Sequence, residues 1–151
     1  MIARAGIGDL DALIPLMRGY CDFYDVSPSD AELRALALTL IEHPDTAGVQ
    51  LLARDDDDGT AAGFATIFWS YSTLSACAIG VMNDLFVAPG ARGRGLGTEL
   101  IGACEAECSA RGVAILEWQT AHSNARAQSV YDRSGAERTE WVTYTLAVTP
   151  R

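Results

Sequence analysis

The chain has 151 residues, 49% of them apolar and 21% charged, with a formal charge of −9. That length suits one domain with a real core, and no apolar run reaches the roughly 18 residues that a membrane helix needs. The acidic balance argues against a general nucleic-acid binder, which shows a basic face, and favours a cationic partner through long-range attraction.

Met1-Ile2-Ala3-Arg4 leads directly into patterned sequence without a leader, so a cytoplasmic protein is expected. Ile2–Ala5 is expected to form a short first strand. From Asp9 to Tyr24, apolar Leu10, Leu13, Ile14, Met17, Tyr20, Cys21 and Tyr24 recur at helical spacing. Pro15 lies inside this pattern and should kink the helix or break its first turn. Tyr20, Asp22, Tyr24 and Asp25, with Phe23 between them, gather three aromatics and two carboxylates at the helix end. They form either a wall for an amine or a core aromatic beside solvated acids.

Ser29 and Glu32 have the spacing of a capping box, opening a helix whose buried stripe is Leu33, Leu36, Leu40 and Ile41. His43-Pro44 ends it, since the residue before proline avoids helical angles, and the lone His43 reads as a surface residue. Val49–Arg54 and Ala62–Tyr71 are strands joined by Asp55-Asp56-Asp57-Asp58-Gly59, a solvated hairpin tip without the spaced ligands of a metal loop. Trp69 and Tyr71 share one strand face, which lines either the core or an acceptor site. Cys77–Val87 is the next strand.

Pro89 and Gly90 stop that strand, and Arg92-Gly93-Arg94-Gly95-Leu96-Gly97-Thr98 follows as a glycine-rich turn. Leu96, Leu100, Ala103, Cys104 and Cys108 then mark a helix that Arg111-Gly112 closes. Strand, glycine turn and helix start together build an anion site, because the first helical N–H groups have no internal partner and glycine lets a phosphate approach. Arg92 and Arg94 add charge-assisted donors, so a phosphate or pyrophosphate ligand is expected. A Walker loop is excluded by the missing lysine, and the dinucleotide fingerprint by Thr98 at its third glycine.

Val113–Thr120 reads as an apolar strand containing Glu117 and Trp118. Ser123 or Asn124 caps a helix to about Ser134, Gly135 stops it, and Glu137–Val148 carries the last strand or strands. His122, before the cap, reads as exposed. Cys21, Cys77, Cys104 and Cys108 hold no Cys-x-x-Cys pair and read as reduced thiols rather than a disulfide or metal set; no metal is expected.

Arg92-Gly93-Arg94-Gly95-Leu96-Gly97 resembles Arg/Gln-x-x-Gly-x-Gly/Ala, the acetyl-CoA signature of the GNAT acetyltransferase superfamily. Asp84-Leu85-Phe86-Val87-x-Pro looks like that family's fourth strand. Glu117-Trp118, Asn124-x-x-Ala127-x-x-x-Tyr131 and Gly135-Ala136 look like its second half. The likeness runs from about Gly63 to Leu146 and is nearest in pattern to the diamine and polyamine branch. That branch carries a Glu-Asp pair where this chain has Asn83-Asp84.

The resemblance implies a single domain spanning 1–151 with a mixed α/β, three-layer fold. Its central sheet would be mostly antiparallel, with a splayed parallel strand pair, and about four helices would flank it. It implies acetyl-CoA as cosubstrate, its pantetheine arm along Leu85, Phe86 and Val87, its pyrophosphate on the amides of Gly93 to Gly97, and Asn124 bonding the arm. A primary amine, held by Tyr20, Asp22, Tyr24, Asp25, Trp69 and Asn83, would attack the thioester directly in a ternary complex. Asp84 is the first candidate base and Glu117 the second; Tyr131 would bond or protonate the departing thiolate. Family habit suggests a homodimer. Other acceptors, such as aminoglycosides or peptide lysines, and a non-catalytic CoA-sensing module are the alternatives.

Overall fold

The computed structural model describes residues 1–149. Five strands form one sheet in the order β1 (Ile2–Arg4), β2 (Gly48–Arg54), β3 (Ala61–Ser72), β4 (Cys77–Val87) and β5 (Leu116–Glu117). The first four are antiparallel neighbours, and β5 runs parallel to β4. Four α-helices flank them: α1 (Leu10–Phe23), α2 (Asp30–Glu42), α3 (Leu96–Ala110) and α4 (Ala125–Arg133). This is the mixed α/β architecture that the sequence implied, with one parallel pair in a mostly antiparallel sheet.

Helices cover both faces of the sheet. On one face α1 and α2 bury Leu13, Met17, Leu33 and Ala37 against Leu52, Phe64 and Phe86. On the other, α3 buries Leu100, Ile101 and Cys104 against Val49, Leu51, Ala65, Ile67 and Met82. β2 is buried on both faces, which explains its unbroken apolar run. The capping box at α2 is present: Ser29 Oγ accepts from the Glu32 amide, and Glu32 accepts from the Ser29 amide. Leu36, expected in the buried stripe of α2, is 38% exposed; Ala37 takes the core position instead. α1 runs through Pro15, whose ring lies on the exposed side, rather than breaking there.

β3 and β4 pair along their whole lengths with one irregularity. Asp84 faces Thr66 and Met82 faces Ile67, so Asn83 is an extra residue on β4, a β-bulge. Because side chains alternate across a strand, the extra residue reverses the order of faces. Met82 and Leu85 pack on the α3 side, while Phe86 and its face-mate Asp84 turn toward α1.

Two expectations are corrected at the C-terminal end. The strand expected over Val113–Thr120 is paired only at Leu116 and Glu117, opposite Gly80 and Val81. Beyond that point β4 and β5 separate, which is the splay that the resemblance implied. No strand forms over Glu137–Val148: that stretch carries the right alternation but has no ladder partner among the described residues.

Candidate active site

A cavity of about 600 Å³ opens where β4 and β5 part. One wall is β4 from Met82 to Val87, and the opposite wall is Trp118 and Gln119. The glycine turn from Ala91 to Thr98 closes one end, the end of α1 with Tyr20, Phe23 and Tyr24 closes the other, and one face of α4 covers the gap.

The turn holds its amides ready for an anion. Pro89–Ala91 makes a single 3-10 turn, Gly93 and Gly95 take φ of 82° and 88°, and α3 starts at Leu96. Left-handed backbone of this kind is costly for residues with a Cβ, so glycine is required at both. Gly95 O accepts from the amides of Thr98 and Glu99, whereas those of Gly93 to Gly97 have no backbone acceptor among the described residues. Arg92 donates to Val87 O at 2.9 Å, lies over the Phe86 ring and lines the cavity. Arg94 turns away: it pairs with Asp55 at 2.6 Å and lies outside the cavity, so the acidic hairpin tip binds an arginine of this loop. That corrects the expectation that both arginines reach the ligand.

At the other end, the bulge residue Asn83 lines the cavity, and its side-chain amide donates to Asp84 Oδ1 at 2.9 Å. Asp84 itself lies beneath the wall, 7% exposed. Burial raises its carboxyl above the usual carboxylate range, against the opposing hydrogen bonds of Thr66, Asn83 and Tyr20. Thr66 Oγ1 in turn accepts from Gln50 Nε2 at 3.1 Å. Tyr20 bridges this buried group and the cavity. Its ring packs edge-on against Tyr24 and Phe86, its hydroxyl is 3.4 Å from Asn83 O, and burial drives its acidity down strongly.

Asn124 caps α4, its Oδ1 accepting from the Ala127 amide at 3.2 Å, and it faces the cavity as expected. Tyr131 also lines it, edge-on to Trp118 with ring centres 5.4 Å apart, its pKa pushed up to about 12 by burial.

Glu117 is exposed and points away from the cavity, because strand alternation gives that wall to Trp118; the second candidate base is misplaced. Trp69 is not at the acceptor end either: its indole donates to Pro44 O at 2.7 Å and carries Arg111 on its face. Asp22 and Asp25 are exposed beside the mouth and do not line it. Phe23 lines the cavity with Tyr20 and Tyr24, as the aromatic-wall reading expected, whereas Met82, Gln119, Arg126 and Arg133 line it and were not foreseen. Arg126, Val130 and Arg133 lie four and then three residues apart, a helical stripe that could have revealed the cations of α4.

Fold and cavity together define a mixed-sheet α/β domain with its cavity between two parting parallel strands. Residues 13–136 match the acetyltransferase (GNAT) family. The chain is 34% identical to the uncharacterized N-acetyltransferase YhfO of Bacillus subtilis (strain 168) over 97% of each chain. It is 28% identical to the thialysine N-epsilon-acetyltransferase of Bos taurus, covering 91% of this chain and 84% of that one. The aminoglycoside N-acetyltransferase AAC(6')-Iy in complex with CoA has the same fold, with a TM-score of 0.85 and 22% identity over 97% of this chain and 93% of that one. The chain belongs to the GNAT family and is an N-acetyltransferase.

Proposed function

We propose that this enzyme transfers an acetyl group from acetyl-CoA to the primary amine of a small cationic molecule. The carrying observation is the cavity itself: unpaired amides and Arg92 at one end, an apolar slot between parted strands, and Tyr20 with Asn83 at the other. The amides of Gly93 to Gly97 hold the pyrophosphate at the positive end of α3. The pantetheine arm takes the place of a strand along Leu85 and Val87, with Asn124 bonding it from α4. The net charge of −9 draws in a cation, and Tyr20, Phe23 and Tyr24 give its apolar part a wall. The thialysine-acetylating relative supports an amine of this kind.

An alkylammonium near pKa 10.4 lies about three units above neutral pH, about 4 to 5 kcal/mol uphill of the attacking form. Asp84 does not reach the amine, so we assign the transfer to Tyr20. Its hydroxyl takes the amine proton while passing its own to Asp84, leaving Tyr20 neutral throughout. The nitrogen lone pair then attacks the thioester carbon, a backbone N–H near Leu85 meets the oxyanion, and the C–S bond breaks to release the CoA thiolate. Tyr131 stabilises that thiolate by a hydrogen bond. Transfer of its own proton, from about 12 to a thiol near 8.5, is uphill by about 5 kcal/mol.

The test is calorimetry with acetyl-CoA followed by a thiol-release assay over polyamines, lysine analogues, aminoglycosides and basic peptides. Micromolar binding with turnover on a small diamine or lysine analogue is expected. Binding without turnover on any acceptor would establish a coenzyme-sensing module instead.

A further inference from the structure

Among the described residues, the core buries three polar side chains: Gln50 at 3%, Thr66 at 0% and Asp84 at 7% exposure. They form one row. Gln50 on β2 is the register partner of Thr66 on β3, and Thr66 is that of Asp84 on β4. Directly opposite residues share a face, so the row crosses the sheet beneath α1. The next row on that face is apolar: Leu52, Phe64 and Phe86. Polar groups in such a core are costly unless each is bonded, and an apolar row would fill the same space at less risk.

A role for the row follows from the direction of its hydrogen bonds. An amide nitrogen only donates. Gln50 Nε2 gives one N–H to Thr66 Oγ1 at 3.1 Å and turns the other toward Met17 Sδ at 3.6 Å, which ties the amide to α1. A hydroxyl has one proton. Thr66 Oγ1 receives from Gln50, so its own proton goes to Asp84. Gln50 Oε1 has no partner among the described residues. The reversed amide would set that oxygen on the Thr66 hydroxyl and draw its proton away from Asp84. The orphaned oxygen is the cost of a row polarised toward the carboxylate.

We propose that Gln50 and Thr66 are positioning residues that hold Asp84 in its ionised, proton-accepting form and so set the pH above which the enzyme turns over. The proposal rests on the acetyl-transfer reading, in which Tyr20 passes its proton to Asp84. Burial favours the neutral carboxyl, and three neutral groups oppose it: Thr66 from β3, Asn83 from the bulge and Tyr20 from α1. Cys21 of α1 also feels the Asp84 charge, and Arg18 and Asp22 act on that thiol in turn. Asn83 and Tyr20 line the cavity, where substrate and water exchange. Thr66 is fully buried, so its bond persists whether the cavity is filled or empty.

Two measurements on the full chain test this: a carbon-13 NMR titration of the Asp84 carboxyl, and kcat against pH. Losing a donor to the ionised form favours the protonated one. Thr66→Val is therefore expected to move both midpoints up by about one pH unit. At a fixed pH on the acid side that is about a tenfold loss in kcat, with the alkaline plateau and acetyl-CoA affinity near wild type. Thr66→Ser, which returns the hydroxyl, should restore both midpoints. Gln50→Met should move them the same way by less, and add nothing in the Thr66→Val background, since Gln50 acts through Thr66. Gln50→Met decides alone if Thr66→Val does not fold. Unmoved midpoints overturn the proposal, as does a loss of kcat equal at every pH, a Thr66→Ser chain that behaves like Thr66→Val, or additive shifts in the double variant. If the wild type acetylates no amine, the transfer reading fails, and the NMR titration still decides whether the row holds the carboxylate.

Discussion

Thr66 on β3 stands directly across from Asp84 on β4, and Asn83, the residue before Asp84, has no register partner on β3. That single extra residue turns the carboxylate of Asp84 inward toward α1, into a buried polar chain that runs from Gln50 through Thr66 to Asp84 and out through Tyr20.

The burial of Asp84 has a cost that depends on pH. Its folded carboxyl holds a proton at pH values where the unfolded chain, near 3.9, has lost it. Stability therefore falls as pH rises from that value through the raised folded one. Asp84→Asn is expected to melt a few degrees higher than wild type at pH 7, with the gap closing toward pH 4. Its kcat should fall by about 10²-fold or more. Melting curves from pH 4 to 8 and steady-state kinetics decide this; an unchanged kcat removes Asp84 from the mechanism.

Tyr20→Phe cuts the link between Asp84 and the cavity. It should lower kcat about as much as Asp84→Asn, and the double variant should be little worse than either, since the two groups act as one relay. Additive losses in a double-mutant cycle would show that they work separately.

With a pKa of about 12, Tyr131 remains protonated across the working range. Tyr131→Phe is expected to lower kcat by about tenfold through the lost hydrogen bond, leave acetyl-CoA affinity near wild type, and leave the shape of the pH profile unaltered. Loss of a basic limb in the variant would instead make Tyr131 a proton donor.

At Gly80, where β4 meets β5, an added Cβ would lie 2.7 Å from Cys108 Sγ. Gly80→Ala should cost about 1 to 3 kcal/mol in denaturant unfolding. Cys108→Ala in the same chain, by removing that sulfur, should recover part of the loss. No recovery would mean that strain arises elsewhere at this junction.

Arg94 is committed to Asp55 outside the cavity, whereas the left-handed turn at Gly95 shapes the cavity end proposed to hold the pyrophosphate. Arg94→Ala should change the KM for acetyl-CoA by less than about twofold, since exposed ion pairs contribute little. Gly95→Val should raise it clearly, at a conformational cost of about 1 to 2 kcal/mol or more. Equal effects would place Arg94 on the phosphate.

The sequence by itself determined what depends on neighbours along the chain. Glycines at 93 and 95 allow a left-handed turn, Ser29 and Glu32 cap one helix, Asn124 caps another, and proline and glycine end β4. Those signals bring the glycine turn, Asn124 and Tyr131 to one cavity, because each element fixes its own backbone groups locally. Only the tertiary structure decided which way side chains face. No local signal marks the bulge at Asn83, yet it sets Asp84 beneath the wall rather than in it. The pairing of β5 turns Glu117 outward, Asp55 holds Arg94 outside the cavity, and Pro44 and Arg111 claim Trp69. The apolar alternation from Trp141 to Val148 shows the same division: a strand's pattern is written in the chain, but a strand exists only where another edge bonds to it.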